Sequence, residues 1–513
     1  MSKSQFKVGV VLSYVSLFMS NLVSIIYTPI MLRLIGQAEY GIYNLATSLV
    51  GYLGVMDLGF GSAVIKYTSK YISENEKEKE YNLNGMFIII YSILGFFTLI
   101  LGIIIFINID RLYSESFSIK QLGILKTIIL FMIFNMAISF PLGIFSSIIL
   151  SYEKFVFPKV LGIITKIVTP ILVFMSLVTG YGSVGMVAIN IIISILSSII
   201  SMVYCFKVLK IKIKFNKLDF SILKEIIEFS FYIFVAMIVD KIYWSTDQLI
   251  LGYISGPVVV AVYSIASTFN IYYRSFSTAI SGMFLPIITK MISKENSDKE
   301  ISEIFIKIGR IQYLIMTFIL IGFILVGKDF IEVWAGEEYK DAYSIALLVM
   351  IPLTIPLIQT VGLSILQAKN LHKFRAKVYF IIAIINLFAS IPLARLMDGK
   401  GCALATGISI VIGNGIIMNN YYYKKVNIDI PLFWNNILKM TKGVFMSFIT
   451  TIFIYNTIQN NIIENILIKI SIFTIVFFAF IWNISMNEYE KDIFNSQYVK
   501  MKTRLRLNLK RIV

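Results

Sequence analysis

Three basic side chains, Lys166, Lys241 and Arg274, lie well inside long apolar stretches, and Asp57, Asp240 and Asp247 lie at similar depth. Charge within such a run is expensive and faces a cavity or a partner. A guanidinium or ammonium there attracts an anion, and a guanidinium can clamp phosphate oxygens with two parallel hydrogen bonds. A carboxylate there binds a cation or a proton, or balances a neighbouring base. The spacing groups these residues. Asp240, Lys241, Trp244, Asp247 and Gln248 share one helical face, as do Tyr263, Ser267, Asn270, Arg274, Ser277 and Ser281. Ser13, Ser16, Ser20, Ser24 and Thr28 form a third stripe. Three polar stripes on apolar helices point to a shared, hydrated interior.

Each candidate has a plainer reading. Arg274 could pair with Asp240 or Asp247, and Lys241 could be neutralised by Asp240. Lys166 lies close enough to a helix end to snorkel to the interface. Arg274 is the sharpest candidate, about fifteen residues into its span and so near mid-bilayer at about 1.5 Å per residue. Lys241 and Lys166 follow it as anion ligands. Asp57, in DLGFGSA, and Asp240 and Asp247 are candidates for ion coupling, and Asn270 and Gln248 for cavity lining.

The elements that carry these residues are membrane helices. Of 513 residues, 58% are hydrophobic and only 15% charged, against about 25% charged in soluble domains. Apolar runs fall at 8–32, 41–65, 83–107, 122–150, 159–179, 183–206, 226–252, 257–289, 303–327, 342–368, 376–396, 401–423, 438–458 and 463–485. Most reach the roughly 20 residues a crossing needs and are too continuous for barrel strands. The expected fold is an all-α integral membrane protein of about fourteen spans. With an inner N-terminus, thirty-four Lys and Arg fall on inner segments and nine on outer ones, as the positive-inside rule requires. Both termini are therefore expected in the cytoplasm, and the first span is expected to be retained rather than cleaved.

A repeat suggests how the spans are organised. Gly36–Ser48 reads GQAEYGIYNLATS and Gly256–Thr268 reads GPVVVAVYSIAST, 220 residues later. Gly36 and Gly256, Tyr43 and Tyr263, and Ala46 and Ala266 coincide. Six spans separate the copies, so the halves share an orientation, a parallel repeat about an axis along the membrane normal. The expected divisions are a six-helix bundle over 1–206, a basic cytoplasmic linker over 207–225 and a second six-helix bundle over 226–423. Two extra helices follow over 424–485, then a basic cytoplasmic tail over 486–513.

Several functions are disfavoured. A net charge of +17 is explained by inner loops rather than by nucleic acid. No phosphate-loop motif is present, so direct drive by ATP is not expected. The single histidine, His372, stands in a short basic loop and cannot complete a Ser/His/Asp set. Cys205 and Cys402 sit in or beside apolar runs, which argues against a disulfide or metal site.

The stretch RLIGQAEYGIYNLATSLVGYLGVMDLGFGSAVIKY (33–67) resembles the start of polysaccharide and O-antigen flippases of the multidrug/oligosaccharidyl-lipid/polysaccharide exporter superfamily. TDQLILGYISGPVVVAVYSIAS (246–267) and FLPIITKM (284–291) fit the same pattern. The last two spans resemble the fourteen-span arrangement of lipid II flippases. Asp247 matches the family's acidic position, with Gln248 where an arginine is usual. The resemblance implies a V-shaped pair of six-helix bundles around a cationic cavity in a bacterial cytoplasmic membrane. It implies a polyprenyl-pyrophosphate-linked oligosaccharide carried by alternating access, without a bound cofactor and with Na⁺, H⁺ or membrane potential as driver. Membrane lipid and other polysaccharide-assembly membrane proteins are the expected partners. A cation-coupled multidrug exporter of the same fold is the first alternative, which Arg274 and Lys241 count against. A membrane polysaccharide polymerase or ligase is the second, which the short outer loops count against.

Overall fold

The structure, a computed structural model, describes residues 3–216, 220–281, 288, 291, 298–369, 371–455 and 462–492. Among the described residues there is no β-strand. In chain order the helices are α1 (Lys3–Leu53), α2 (Phe60–Ser73), α3 (Lys77–Tyr113), α4 (Ile119–Ser151), α5 (Val156–Val178), α6 (Gly182–Lys207), α7 (Phe220–Ser255) and α8 (Pro257–Ser281). They continue with α9 (Asp298–Trp334), α10 (Asp341–Leu357), α11 (Val361–Ala368), α12 (His372–Ile410), α13 (Asn419–Val426), α14 (Ile430–Tyr455) and α15 (Ile462–Phe480).

Among the described residues, ten helical stretches are long and apolar enough to cross a membrane. Two of them, Phe18–Ser73 with 56 residues and Lys373–Val426 with 54, are each long enough for two crossings. The chain turns inside them without a separate loop: α1 kinks at Gly36 (φ 79°) and α12 at Asp398 (φ 49°). Glycine takes that left-handed backbone without penalty, whereas Asp398 relies on a side-chain contact, accepting from Ser255 Oγ at 2.6 Å. The expected spans not among the ten stretches are α7 and α8. These are the helices that carry Lys241, Asp247, Asn270 and Arg274. Prolines inside α1, α4, α5, α10 and α12 (Pro29, Pro141, Pro170, Pro352, Pro356 and Pro392) are tolerated because neighbouring helices can satisfy the freed backbone groups.

Packing divides the chain into two compact units. The first is Met1–Ile265 with Tyr379–Ala405, and the second is Ala266–Val378 with Thr406–Val513. The first therefore takes in α7 and the start of α8, so this division does not follow the linker over 207–225.

In the first unit, Phe60, Tyr67, Tyr71, Phe87, Phe145 and Cys205 belong to a core built from α2, α3, α4 and α6. The later half of α1 runs antiparallel to α7. Gly41 meets the start of α8, where a Cβ would lie 1.8 Å from the Pro257 carbonyl oxygen. Leu45 packs on Gly252, Ser48 donates to Gln248, and Tyr52 meets Thr246. The repeated motifs thus touch each other, and the matched Gly36 and Gly256 both take positive φ, 79° and 81°. The linker is strapped to α3: Lys214 N donates to Tyr81 O at 3.0 Å, and Lys214 Nζ pairs with Glu78 at 2.7 Å.

In the second unit, α9 packs against α14 and α15 through aromatic contacts. Phe305 and Phe433 lie 5.0 Å apart between centroids, and Phe318 stacks on Phe473 at 5.3 Å. Such packing matters within a bilayer, where apolar surface alone does not drive helices together.

Candidate functional site

Lys166 is the basic candidate whose surroundings are most completely defined. It projects from α5 toward the first half of α1. Its ammonium donates to Ser16 Oγ at 3.0 Å and to the Ser16 carbonyl at 3.4 Å. Among the described residues it has no carboxylate partner. Beside it is a cleft of about 330 Å³, whose walls include Ser20, Ser24, Tyr27, Thr165 and Thr169. The serine stripe on α1 thus faces α5: Ser16 holds the lysine, and Ser20 and Ser24 line the cleft. The Ser13 side chain lies outside the described residues.

Lys241 lies on α7 in the same unit, half-buried. It reaches Gly51 of α1, where an added Cβ would sit 3.1 Å from its Nζ. The missing side chain is what makes room for the ammonium. Asp240, its neighbour in sequence, is exposed and makes no ion pair with it. Among the described residues Lys241 has no carboxylate within pairing distance. Neutralisation by Asp240 is therefore not what the structure shows.

Asp247 is 4% exposed and accepts hydrogen bonds from Tyr263 OH and from Ser390 Oγ at 3.1 Å. Ser390 is also 3.4 Å from Asn386 Oδ1. Gln248 joins α1 to α8, accepting from Ser48 and donating to Ser264 Oγ at 3.2 Å. Asp57 ends a 3₁₀ turn, Gly54–Asp57, and accepts from Tyr91 OH at 2.9 Å. Leu58 and Gly59 then turn left-handed (φ 52° and 77°) before α2 begins. The backbone is therefore irregular at DLGFG.

Arg274 belongs to the second unit and is half-buried. On the same helix, Tyr273 OH is 2.7 Å from Thr354 Oγ1, and Ser277 Oγ donates to Leu357 O at 2.6 Å. These bonds lock α8 to α10. Asn270 is 4% exposed, and its carboxamide oxygen has no hydrogen-bond partner among the described residues. The Ser281 side chain and most of FLPIITKM lie outside them.

The structure thus brings Lys166, Lys241, Asp57, Asp240, Asp247 and Gln248 into one unit and Arg274 and Asn270 into the other. Ser390, which donates to Asp247, and Asn386, which accepts from Ser390, do not appear among the candidates read from the sequence, although their i, i+4 spacing on an apolar helix was a readable signal.

A model of the polysaccharide biosynthesis protein family matches residues 7–292, more than half of the chain. The chain belongs to that family. Among its relatives is a protein of Shigella flexneri assigned as an O-antigen transporter, 23% identical over 360 residues, 68% of this chain and 81% of that one. Its fold is similar to the lipid II flippase MurJ in an inward closed conformation, with TM-score 0.70 and 18% identity, covering 96% of this chain and all of that one. It is also similar to an inward-facing multidrug resistance MATE family transporter of the MOP superfamily, with TM-score 0.61 and 11% identity, covering 81% of this chain and 95% of that one. The family member described here is a multi-pass membrane protein whose helical fold resembles those of these two proteins.

Proposed function

We propose that this chain is a flippase for an undecaprenyl-pyrophosphate-linked oligosaccharide in a bacterial cytoplasmic membrane. The observation that carries this reading is the pair of intramembrane ammoniums, Lys166 and Lys241, with no carboxylate partner among the described residues. A charge on a spanning helix costs about 2.5–3.5 kcal/mol on insertion scales. Without an internal counter-ion, that cost is offset when an anionic headgroup arrives. Lys166, Lys241 and Arg274 are the groups that would neutralise the pyrophosphate, while the polyprenyl chain stays in lipid. The family membership and the named relatives support a role in moving a lipid-linked glycan rather than in making one.

Movement would follow alternating access of the two six-helix halves, 1–206 and 226–423, with both termini cytoplasmic. Asp247 is the leading coupling group. A buried carboxylate hydrogen-bonded by Tyr263 and Ser390 offers oxygen ligands to Na⁺ or a site for H⁺. Asp57, hydrogen-bonded to Tyr91, is the second.

The test is translocation in proteoliposomes. The full chain should accelerate transfer of a fluorescent polyprenyl-diphosphate oligosaccharide between leaflets, and Asp247→Asn should remove dependence on an imposed ion gradient. No acceleration for any polyprenyl-linked sugar would refute the flippase. Export of an organic cation instead would favour the multidrug exporter.

A further inference from the structure

Asp398 turns α12 with φ 49° and ψ −132°. These values lie close to the first central position of a type II′ turn, where glycine is usual and an L side chain is strained. At this ψ the Cα–Cβ bond nearly eclipses the bond from the Asp398 carbonyl carbon to the Gly399 nitrogen. Rotation about Cα–Cβ alone then brings the side-chain carboxyl carbon onto that nitrogen, as in a succinimide ring. Glycine, without a side chain, is the successor that hinders this approach least. Asp398 is exposed to water. Among the described residues its carboxyl accepts one hydrogen bond, from Ser255 Oγ to Oδ1 at 2.6 Å, which leaves Oδ2 free to depart.

The chain has two other pairs of this kind, Asn84–Gly85 and Asn414–Gly415. Asn84 lies within α3 and Asn414 within the π-helical turn Val411–Met418, and both are buried. A helical ψ of about −42° turns Cβ well away from the next nitrogen. In an unfolded chain the two asparagines are the more reactive pair members, because an amide loses ammonia more readily than a carboxyl group loses water. The fold holds them back and sets Asp398 in position.

We infer that Asp398 is a self-modification site, which converts to isoaspartate through a succinimide formed with Gly399. The Gly399 nitrogen attacks Asp398 Cγ. The N–Cγ bond forms and one Cγ–O bond breaks. That oxygen leaves as water, taking the amide proton and the proton of the neutral carboxyl group. Water then adds to the imide. Opening at Cγ restores aspartate, whereas opening at the main-chain carbonyl carbon leaves the backbone running through Cβ and Cγ with a free carboxylate on Cα. No reactant besides water enters. The extra backbone methylene relieves the left-handed strain and releases the contact with Ser255 at the end of α7. The site stands apart from the flippase reading and does not depend on it.

The full chain in lipid nanodiscs is incubated at neutral pH in water enriched in heavy oxygen, beside the same chain unfolded in denaturant. Digests are read by mass spectrometry with fragmentation that separates aspartate from isoaspartate. Asp398→Asn and Asp398→Glu are run in parallel, each checked for an unchanged melting temperature. Heavy oxygen and isoaspartate should accumulate at Asp398 severalfold faster in the folded chain than in the unfolded one. Asn84 and Asn414 should stay intact in the folded chain and react ahead of Asp398 in the unfolded one. Asp398→Asn should lose ammonia through the same ring faster than wild type loses water. Asp398→Glu, which would need a larger ring, should show no conversion. Conversion of Asp398 in the folded chain at a rate equal to or below that in the unfolded chain would overturn the inference. Deamidation of Asn84 or Asn414 ahead of Asp398 in the folded chain would do the same.

Discussion

Lys166 in the first unit and Arg310 in the second are both cations held inside a helical bundle, and they are treated in opposite ways. Arg310 is 6% exposed and is bound by Glu490 through two contacts, Nε–Oε1 at 2.6 Å and Nη2–Oε2 at 2.9 Å. Its remaining donors reach the Ser485 carbonyl at 3.0 Å and Asn436 Oδ1 at 3.3 Å. Glu490 in turn caps the turn that begins at Asn487, whose N–H donates to it at 2.9 Å. Every charge there is matched, so the group is structural: it pins the start of the C-terminal tail to α9 and α14. Among the described residues Lys166 has only a hydroxyl and a carbonyl of Ser16. Its charge is solvated by dipoles and not cancelled. A cation neutralised by its own chain holds the fold together, and a cation only solvated by its chain remains available to a ligand.

The largest effect should come from breaking the matched cation. Glu490→Gln leaves a buried guanidinium without its counter-charge and should cost about 3–5 kcal/mol of stability, read as a large drop in melting temperature in detergent. Replacing both partners, Arg310→Met with Glu490→Leu, should recover most of that loss. Lys166→Met should behave in the opposite manner. Melting temperature should hold or rise, while translocation falls about ten- to a hundredfold, the range for one lost charged hydrogen bond. A drop in stability comparable to that of Glu490→Gln would erase the distinction between the two sites.

Lys241 tests whether the distinction extends to a third cation. Gly51→Ala puts a methyl 3.1 Å from the Lys241 ammonium, which a flexible side chain can yield to. A few-fold loss of transport at near-normal stability is expected from a proteoliposome assay. The smallest effect belongs to an ion pair at the surface of the second unit. Lys369 Nζ pairs with Asp298 at 2.7 Å, with Asn427 donating to the other oxygen at 2.9 Å. The hydrogen bond from Lys369, then that from Asn427, holds the Asp298 carboxyl below its ordinary value. Its stabilisation is full above the unfolded pKa of about 3.9 and is lost as pH falls through the lower folded value. Because Asp298 is 44% exposed, Lys369→Met should cost only about 0.5 kcal/mol, and added salt should reduce that further. The Arg310 pair should be insensitive to the same salt.

Much of this was legible in the sequence for physical reasons. A crossing helix requires a long apolar run, so the spans could be read directly, and the turns at Gly36 and Asp398 fall in the breaks between the runs 8–32 and 41–65 and between 376–396 and 401–423. The contact of Asp398 with Ser255 was not readable, since it comes from 143 residues away. Arg310 read as one of the inner-segment charges of the positive-inside pattern. Its partner is one of the few acids in a net-basic tail, 180 residues distant. Such pairing cannot be inferred from local composition. The serine stripe on α1 was visible in its three- and four-residue spacing, but that it faces α5 and Lys166 depends on packing. The Lys241–Asp240 pairing suggested by adjacency fails because neighbours in a helix point about 100° apart and do not face each other.

The most direct test is transfer of a polyprenyl-diphosphate-linked oligosaccharide across proteoliposomes containing either wild type or Lys166→Met, matched for reconstituted protein and melting temperature. The account expects rapid transfer by wild type and a rate at least tenfold lower for the variant. Equal rates for the two proteins would contradict it.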